Sequence, residues 1–201
     1  MHPTGISVDE SRLREIPLFE DLKPESVAEI AAGGWLIEHV RGARVLSRGD
    51  MLDGLYAVFD GRLKLYMLSC NGDERVLRIL QPGDCFGEAI MFNRFPSPVF
   101  VETLSPVQLA YFPRELVSDV LAAHPDFTQA MLRSMSRLLR ELIGDLETCC
   151  LQTARQRTVA YLLRGAEADA DGHERVQLPA AKAVVASTLN ISAETFSREL
   201  H

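Results

Sequence analysis

The chain has 201 residues, is 47% hydrophobic and 24% charged, and carries a formal net charge of −7. Such a composition excludes a disordered chain and supports one large or two smaller soluble domains. No apolar run reaches the roughly 18 residues of a membrane span, and MHPTGISVDESRLR lacks the basic and apolar regions of a signal peptide, so the cytoplasm is the expected compartment, with no membrane partner. Cys70, Cys85, Cys149 and Cys150 are then expected as reduced thiols. The acidity is uneven. Residues 1–123 hold twelve basic against eighteen acidic residues, whereas residues 154–201 hold six of each. A neutral C-terminal part permits DNA contact through a few placed groups, without arguing for it.

Residues 8–34 carry a helical pattern interrupted at Pro17 and Pro24, with Lys23-Pro24-Glu25 as a helix start. From Trp35 short apolar runs alternate with glycine-bearing turns. Period-2 stretches such as Arg62–Tyr66 and Arg75–Leu80, linked through Asn71-Gly72, predict antiparallel hairpins, and six to eight such strands predict a sandwich or barrel. After Pro113 the helical period returns. Between about Asp126 and Leu151, Leu132, Met135, Leu139, Leu142, Leu146 and Cys149 recur at steps of three and four, the spacing of a seam that pairs with a second copy. A second line, Phe127, Met131, Leu138 and Ile143, is expected to pack on the β-domain.

Gln156–Leu163 predicts another helix, EADADGHE an exposed polar loop, and Val176–Leu178 a short strand. From Pro179 an apolar helix, a turn through Asn190 and a helix capped by Ser192 predict a helix-turn-helix. On that last helix Glu194, Ser197, Arg198 and His201 share one face, while Phe196 and Leu200 share another. The polar face suits a major groove: Arg pairs with guanine O6 and N7, and a carboxylate accepts from the cytosine amino group.

With these pieces in order, residues 15–201 resemble the CRP/FNR family of bacterial transcription regulators. SRGDMLDGLYAVFDGRLKLY and RVLRILQPGDCFGEA resemble the two halves of its β-roll, Asp126–Leu151 its dimerisation helix, and LPAAKAVVASTLNISAETFSREL its helix-turn-helix. The resemblance implies an α+β fold: an N-terminal antiparallel β-roll, the double-stranded jelly roll of cyclic-nucleotide-binding domains, over 1–123, a dimerisation helix over 124–153, and a C-terminal winged helix-turn-helix over 154–201. The family's wing is missing after His201, so that domain is expected to be incomplete, by truncation or at a cost in DNA affinity. It also implies no enzyme activity, double-stranded DNA, a second copy and RNA polymerase as partners, and Ser192, Glu194, Thr195, Ser197 and Arg198 as the contacts to a TTGAT-like half-site.

For the effector, the resemblance implies a pocket at Phe86, Gly87, Glu88, Ile90, Phe100, Leu138 and Leu142. The Arg-Ser or Arg-Thr pair that clamps a cyclic phosphate in cAMP-binding members falls here on Pro98 and Val99, and the adenine-contacting Thr-Ser pair on Leu142 and Ile143. Burying a phosphate without these partners is prohibitive, which argues against cAMP. No cysteine precedes the β-roll to hold an iron–sulfur cluster. EAIMFNRFPSPVFVETL and ETFSR resemble the branch that controls denitrification in response to nitric oxide, usually as an activator, for which haem is the implied cofactor; His2, His39 and His124 are the available histidine ligands. Two other readings are weighed. A cupin-type metalloenzyme needs clustered histidines, and the five present are scattered. A dimeric effector-binding module that does not itself read DNA remains the alternative.

Overall fold

A computed structural model of the chain describes residues 7–168 and 174–200. Two compact units emerge: residues 1–65 with 80–137, and residues 66–79 with 138–201.

The first unit opens with α1 (Glu10–Leu13), capped by the Asp9 carboxylate accepting from the Ser11 amide at 2.7 Å, and α2 (Pro24–Gly33), whose first residue is the expected proline. Eight strands follow in the chain: β1 (Trp35–His39), β2 (Arg44–Leu46), β3 (Gly54–Asp60), β4 (Leu63–Leu68), β5 (Glu74–Leu80), β6 (Cys85–Phe86), β7 (Phe100–Thr103) and β8 (Val107–Pro113), with α3 (Glu88–Asn93) between β6 and β7; residues 66–79, most of the β4–β5 hairpin, belong to the second unit. They form two four-stranded sheets, in the orders β1-β8-β3-β6 and β2-β7-β4-β5. This is the expected α+β fold with an antiparallel β-roll.

One core cluster draws on both sheets through Leu46, Val58, Leu63, Phe86, Val101 and Leu109. A second packs Leu55, Ala57, Phe59 and Phe112 of the first sheet against Phe19 of the segment between α1 and α2 and against Val27 and Ile30 of α2. Strand β3 is therefore covered on both faces, which is why LYAVF is an unbroken apolar run rather than an alternating one. The same covering involves α4 (Arg114–Ala123) and the first turns of α5 (Pro125–Leu151). Phe127 and Met131 of α5 are buried in it.

A polar staple joins α2 to the start of α5. The Ser26 hydroxyl donates to the Asp126 carboxylate at 2.9 Å, the Lys23 amide donates to the same carboxylate at 2.9 Å, and His124 lies 3.0 Å from Ser26 Oγ and 2.8 Å from Glu29. Burial works to raise the Asp126 pKa, but the amide and hydroxyl donors outweigh it and hold the carboxyl below its ordinary value.

In the second unit, α5 continues to Leu151, followed by α6 (Ala154–Arg164), β9 (Ala166–Ala168), β10 (Glu174–Val176), α7 (Lys182–Thr188) and α8 (Ala193–Glu199). Two local readings need correction. The strand expected at Val176–Leu178 ends at Val176 and pairs antiparallel with Ala166–Ala168, a segment reaching into the expected polar loop. Ile143, expected to pack with Phe127 and Met131, is 59% exposed. The five-residue step from Leu138 turns it about 140° around the helix, away from the face that Phe127, Met131 and Leu138 share.

Candidate nucleic-acid interface

The α7–α8 pair is built around a small core. Val185, Ala186, Leu189 and Phe196 are buried together, with Ile191, Leu178, Tyr161 and Leu200 packed at the edge. Apolar residues at these spacings can meet only if the chain reverses sharply between the helices. Asn190 does this at φ 56°, the left-handed region its short amide side chain tolerates, and the Ile191 amide donates back to Ala186 O at 3.1 Å. Ser192 then caps α8, its Oγ accepting from the Thr195 amide at 3.0 Å.

This packing leaves Ser192, Glu194 and Arg198 exposed and Thr195 and Ser197 half-buried. Thr195 Oγ1 also accepts from Ser192 Oγ at 2.9 Å, so part of its hydrogen-bonding capacity is used inside the cap. Glu194 in the first turn and Arg198 in the last complement the helix dipole. His201 lies outside the described residues, as does His2.

Two supports escaped the sequence reading. Thr153 and Gln156 form a reciprocal capping box at the start of α6, a signature readable as T-x-x-Q. Arg157 donates to Gln152 O at 2.8 Å and to Asn190 O at 3.2 Å, tying the end of α5 to the turn before α8. No local signal announces the second bond, because its partners are 33 residues apart.

Along α5 the predicted seam is an apolar stripe facing outward: Leu132 is 61%, Leu139 60%, Leu142 56% and Leu146 64% exposed, with Met135 exposed and Cys149 half-buried. All four cysteines are free thiols.

Of the expected effector residues, Phe86 and Ile90 are buried in the β-roll core, Phe86 stacking on Tyr56 with centroids 4.9 Å apart. Burial and the neighbouring Tyr111 push the Tyr56 hydroxyl up to about 12. Gly87 has φ 104° and cannot be replaced, since a Cβ there would lie 2.9 Å from Gly54 O. Glu88 opens α3, and Phe100 is half-buried under the Arg44 guanidinium, 5.1 Å from its ring centroid. Leu138 is half-buried, whereas Leu142 belongs to the exposed stripe. At Pro98 and Val99 the chain turns on itself: the Ser97 hydroxyl donates to Val99 O at 2.8 Å and accepts from the Val99 amide at 3.3 Å.

Neither histidine of the described residues, His39 or His124, fits an axial haem ligand. Both ring nitrogens of His124 are engaged, by Ser26 and Glu29. His39, whose pKa burial lowers, borders an open cleft of about 610 Å³ shared with Glu38, Asp60 and Gln108, too polar and open to enclose a macrocycle.

A family model for the cyclic nucleotide-binding domain matches residues 36–124. The probable transcriptional regulator flp of Lacticaseibacillus casei is 30% identical over 188 residues, covering 92% of this chain and 83% of that protein. The crystal structure of DNR from Pseudomonas aeruginosa is similar at 32% identity, with a TM-score of 0.56 over 96% of this chain and 85% of that one. The Thermus thermophilus catabolite activator protein is similar at 25% identity, with a TM-score of 0.60 over 92% and 85%. Fold and relatives together define a transcription regulator built on a cyclic-nucleotide-binding-type β-roll, not an enzyme. The chain belongs to the CRP/FNR family.

Proposed function

We propose that this regulator reads double-stranded DNA directly, as a homodimer joined along α5, with Arg198 and Glu194 pairing to guanine and cytosine of a TTGAT-like half-site and Ser192, Thr195 and Ser197 contacting the backbone or base edges. The observation that carries this reading is the exposure of Glu194 and Arg198 on one side of a capped helix whose other side is anchored by fully buried Phe196. Two such helices, one per protomer, match a palindrome only if the paired α5 helices set them about one DNA turn apart. RNA polymerase is then the downstream partner, and the cytoplasm the place of action. Among the described residues no helix is long and apolar enough to cross a membrane.

For the signal, the 32% identity with DNR and the Glu194–Arg198 string favour the nitric-oxide-responsive branch and an activating role. The signal is read without haem, because neither described histidine fits it as a ligand. Adding haem to the purified protein is expected to give no sharp Soret band; a band abolished by His39→Ala or His124→Ala reverses that conclusion. DNA reading is tested by fluorescence anisotropy with a TTGAT-N4-ATCAA duplex. Binding is expected to weaken with salt and to depend on Arg198, whereas sequence-indifferent binding favours an effector-binding module that does not read DNA.

A further inference from the structure

Within the second unit the guanidinium of Arg157 on α6 spans two places that the sequence holds far apart. Nη1 donates to Gln152 O at 2.8 Å and to Cys149 O at 3.5 Å, both at the C-terminal end of α5. Nη2 donates to Asn190 O at 3.2 Å, in the turn that leads into α8. Nε is buried with no hydrogen-bond partner, so these bonds all run through the two tips of the fork. A helix leaves its last carbonyls without N–H partners and partially negative, which is why a cation settles at this end of α5. All three acceptors are main-chain carbonyls, so what the side chain fixes is the position of the backbone.

The fork is planar and rigid, and two carbonyls held by its two nitrogens are held at a set distance and angle. Tyr161 of α6 also packs at the edge of the α7–α8 core, but apolar packing is non-directional and tolerates small rotations. For a dimeric reader that angle decides which sites fit. One base pair added between two half-sites moves them about 3.4 Å apart and about 35° around the duplex. A stiff joint between the rod and the reading helix cannot follow both displacements, whereas a loose one can.

We propose that Arg157 is a positioning residue that sets the half-site spacing the dimer accepts: it fixes the turn before α8 against the end of α5 and takes no part in reading the half-site itself. The assignment rests on the dimeric DNA reading above and deepens it. Anisotropy titrations of the full chain at fixed salt test it, with TTGAT and ATCAA separated by three, four or five base pairs, and with a duplex carrying one TTGAT half-site. The parent is expected to favour the four-base-pair spacer by about a hundredfold, because a wrong spacing strains two charge-assisted bonds each worth about tenfold. Arg157→Ala removes both bonds, and Arg157→Lys keeps the cation but not the fork. Both variants are expected to narrow the preference to less than about tenfold and to bind the single half-site as the parent does. Damage to the fold weakens all four duplexes together, the single half-site included, so lost spacing preference with intact half-site binding is not the signature of a merely structural role. A preference left intact in either variant, or parallel weakening on all four duplexes, overturns the assignment. A parent that binds the three spacings alike, or whose binding does not need Arg198, overturns instead the dimeric reading on which it rests.

Discussion

Arg198 and Phe196 sit two positions apart on α8 and answer to different forces. Arg198 is exposed, so replacing it by Ala leaves the fold intact; it removes a guanidinium whose bidentate pairing with guanine is worth about 1–3 kcal/mol. The expected result is an affinity loss of about 5- to 150-fold for the cognate duplex, with little change for scrambled DNA and none in thermal midpoint. Arg198→Lys rescues charge but not the planar fork, so discrimination at the guanine position stays lost while salt dependence returns. Phe196 is fully buried, and Phe196→Ala is expected to cost about 3–5 kcal/mol, melting the α7–α8 core before the β-roll; near-ultraviolet circular dichroism combined with amide exchange separates the two transitions. The cap and turn that orient both residues were legible in the sequence because their physics is local. Ser192 binds an amide three residues on, and Asn190 adopts a backbone conformation few other residues tolerate. Arg157 was not legible in this way: its bond to Asn190 O exists only once helix α6 has folded back on the turn.

Helix α5 has two halves with different environments. Its first turns are stapled to α2 through Asp126 and Ser26, and the depressed pKa of Asp126 gives the staple a pH signature. With the folded pKa below the unfolded one, the folded state binds fewer protons in that interval, and stability rises with pH across it. The contribution is complete above the ordinary carboxyl value of 3.8 and is lost as pH falls through the lower folded value. Asp126→Asn is therefore expected to lower the thermal midpoint at pH 7 and to flatten the acid limb of a stability–pH curve; an unchanged acid limb counts against the staple. Further along, the stripe Leu132–Leu139–Leu142–Leu146 faces outward over several turns. Burying a leucine in a partner is worth roughly 1.5–3 kcal/mol, so Leu139→Glu is expected to convert a dimer to monomers in sedimentation equilibrium while leaving the β-roll spectrum unchanged. The stripe could be read from periodicity alone. The same periodicity excludes Ile143 from the second line, because a five-residue step from Leu138 turns it about 140° around the helix.

At the scale of the whole molecule, strand count, punctuation and helix order made a sandwich or barrel followed by helices readable, and the family resemblance supplied the α+β β-roll architecture. The division into units did not follow from chain order. The β4–β5 hairpin groups with the C-terminal helices because Glu74, Arg75 and Val76 find their partner more than a hundred residues away. No window of sequence contains both ends of such a bond. Strand β9 escaped for a related reason: Ala-Glu-Ala has no strand pattern of its own and extends only because it pairs with Glu174–Val176.

If α5 pairs two copies as proposed, its leucine stripe has a quantitative corollary for the cell. Wherever protomers are scarcer than the dissociation constant of their pairing, the number of competent readers grows as the square of the amount of chain made. Doubling synthesis then quadruples occupancy of a weak operator, so abundance itself becomes an input to the circuit.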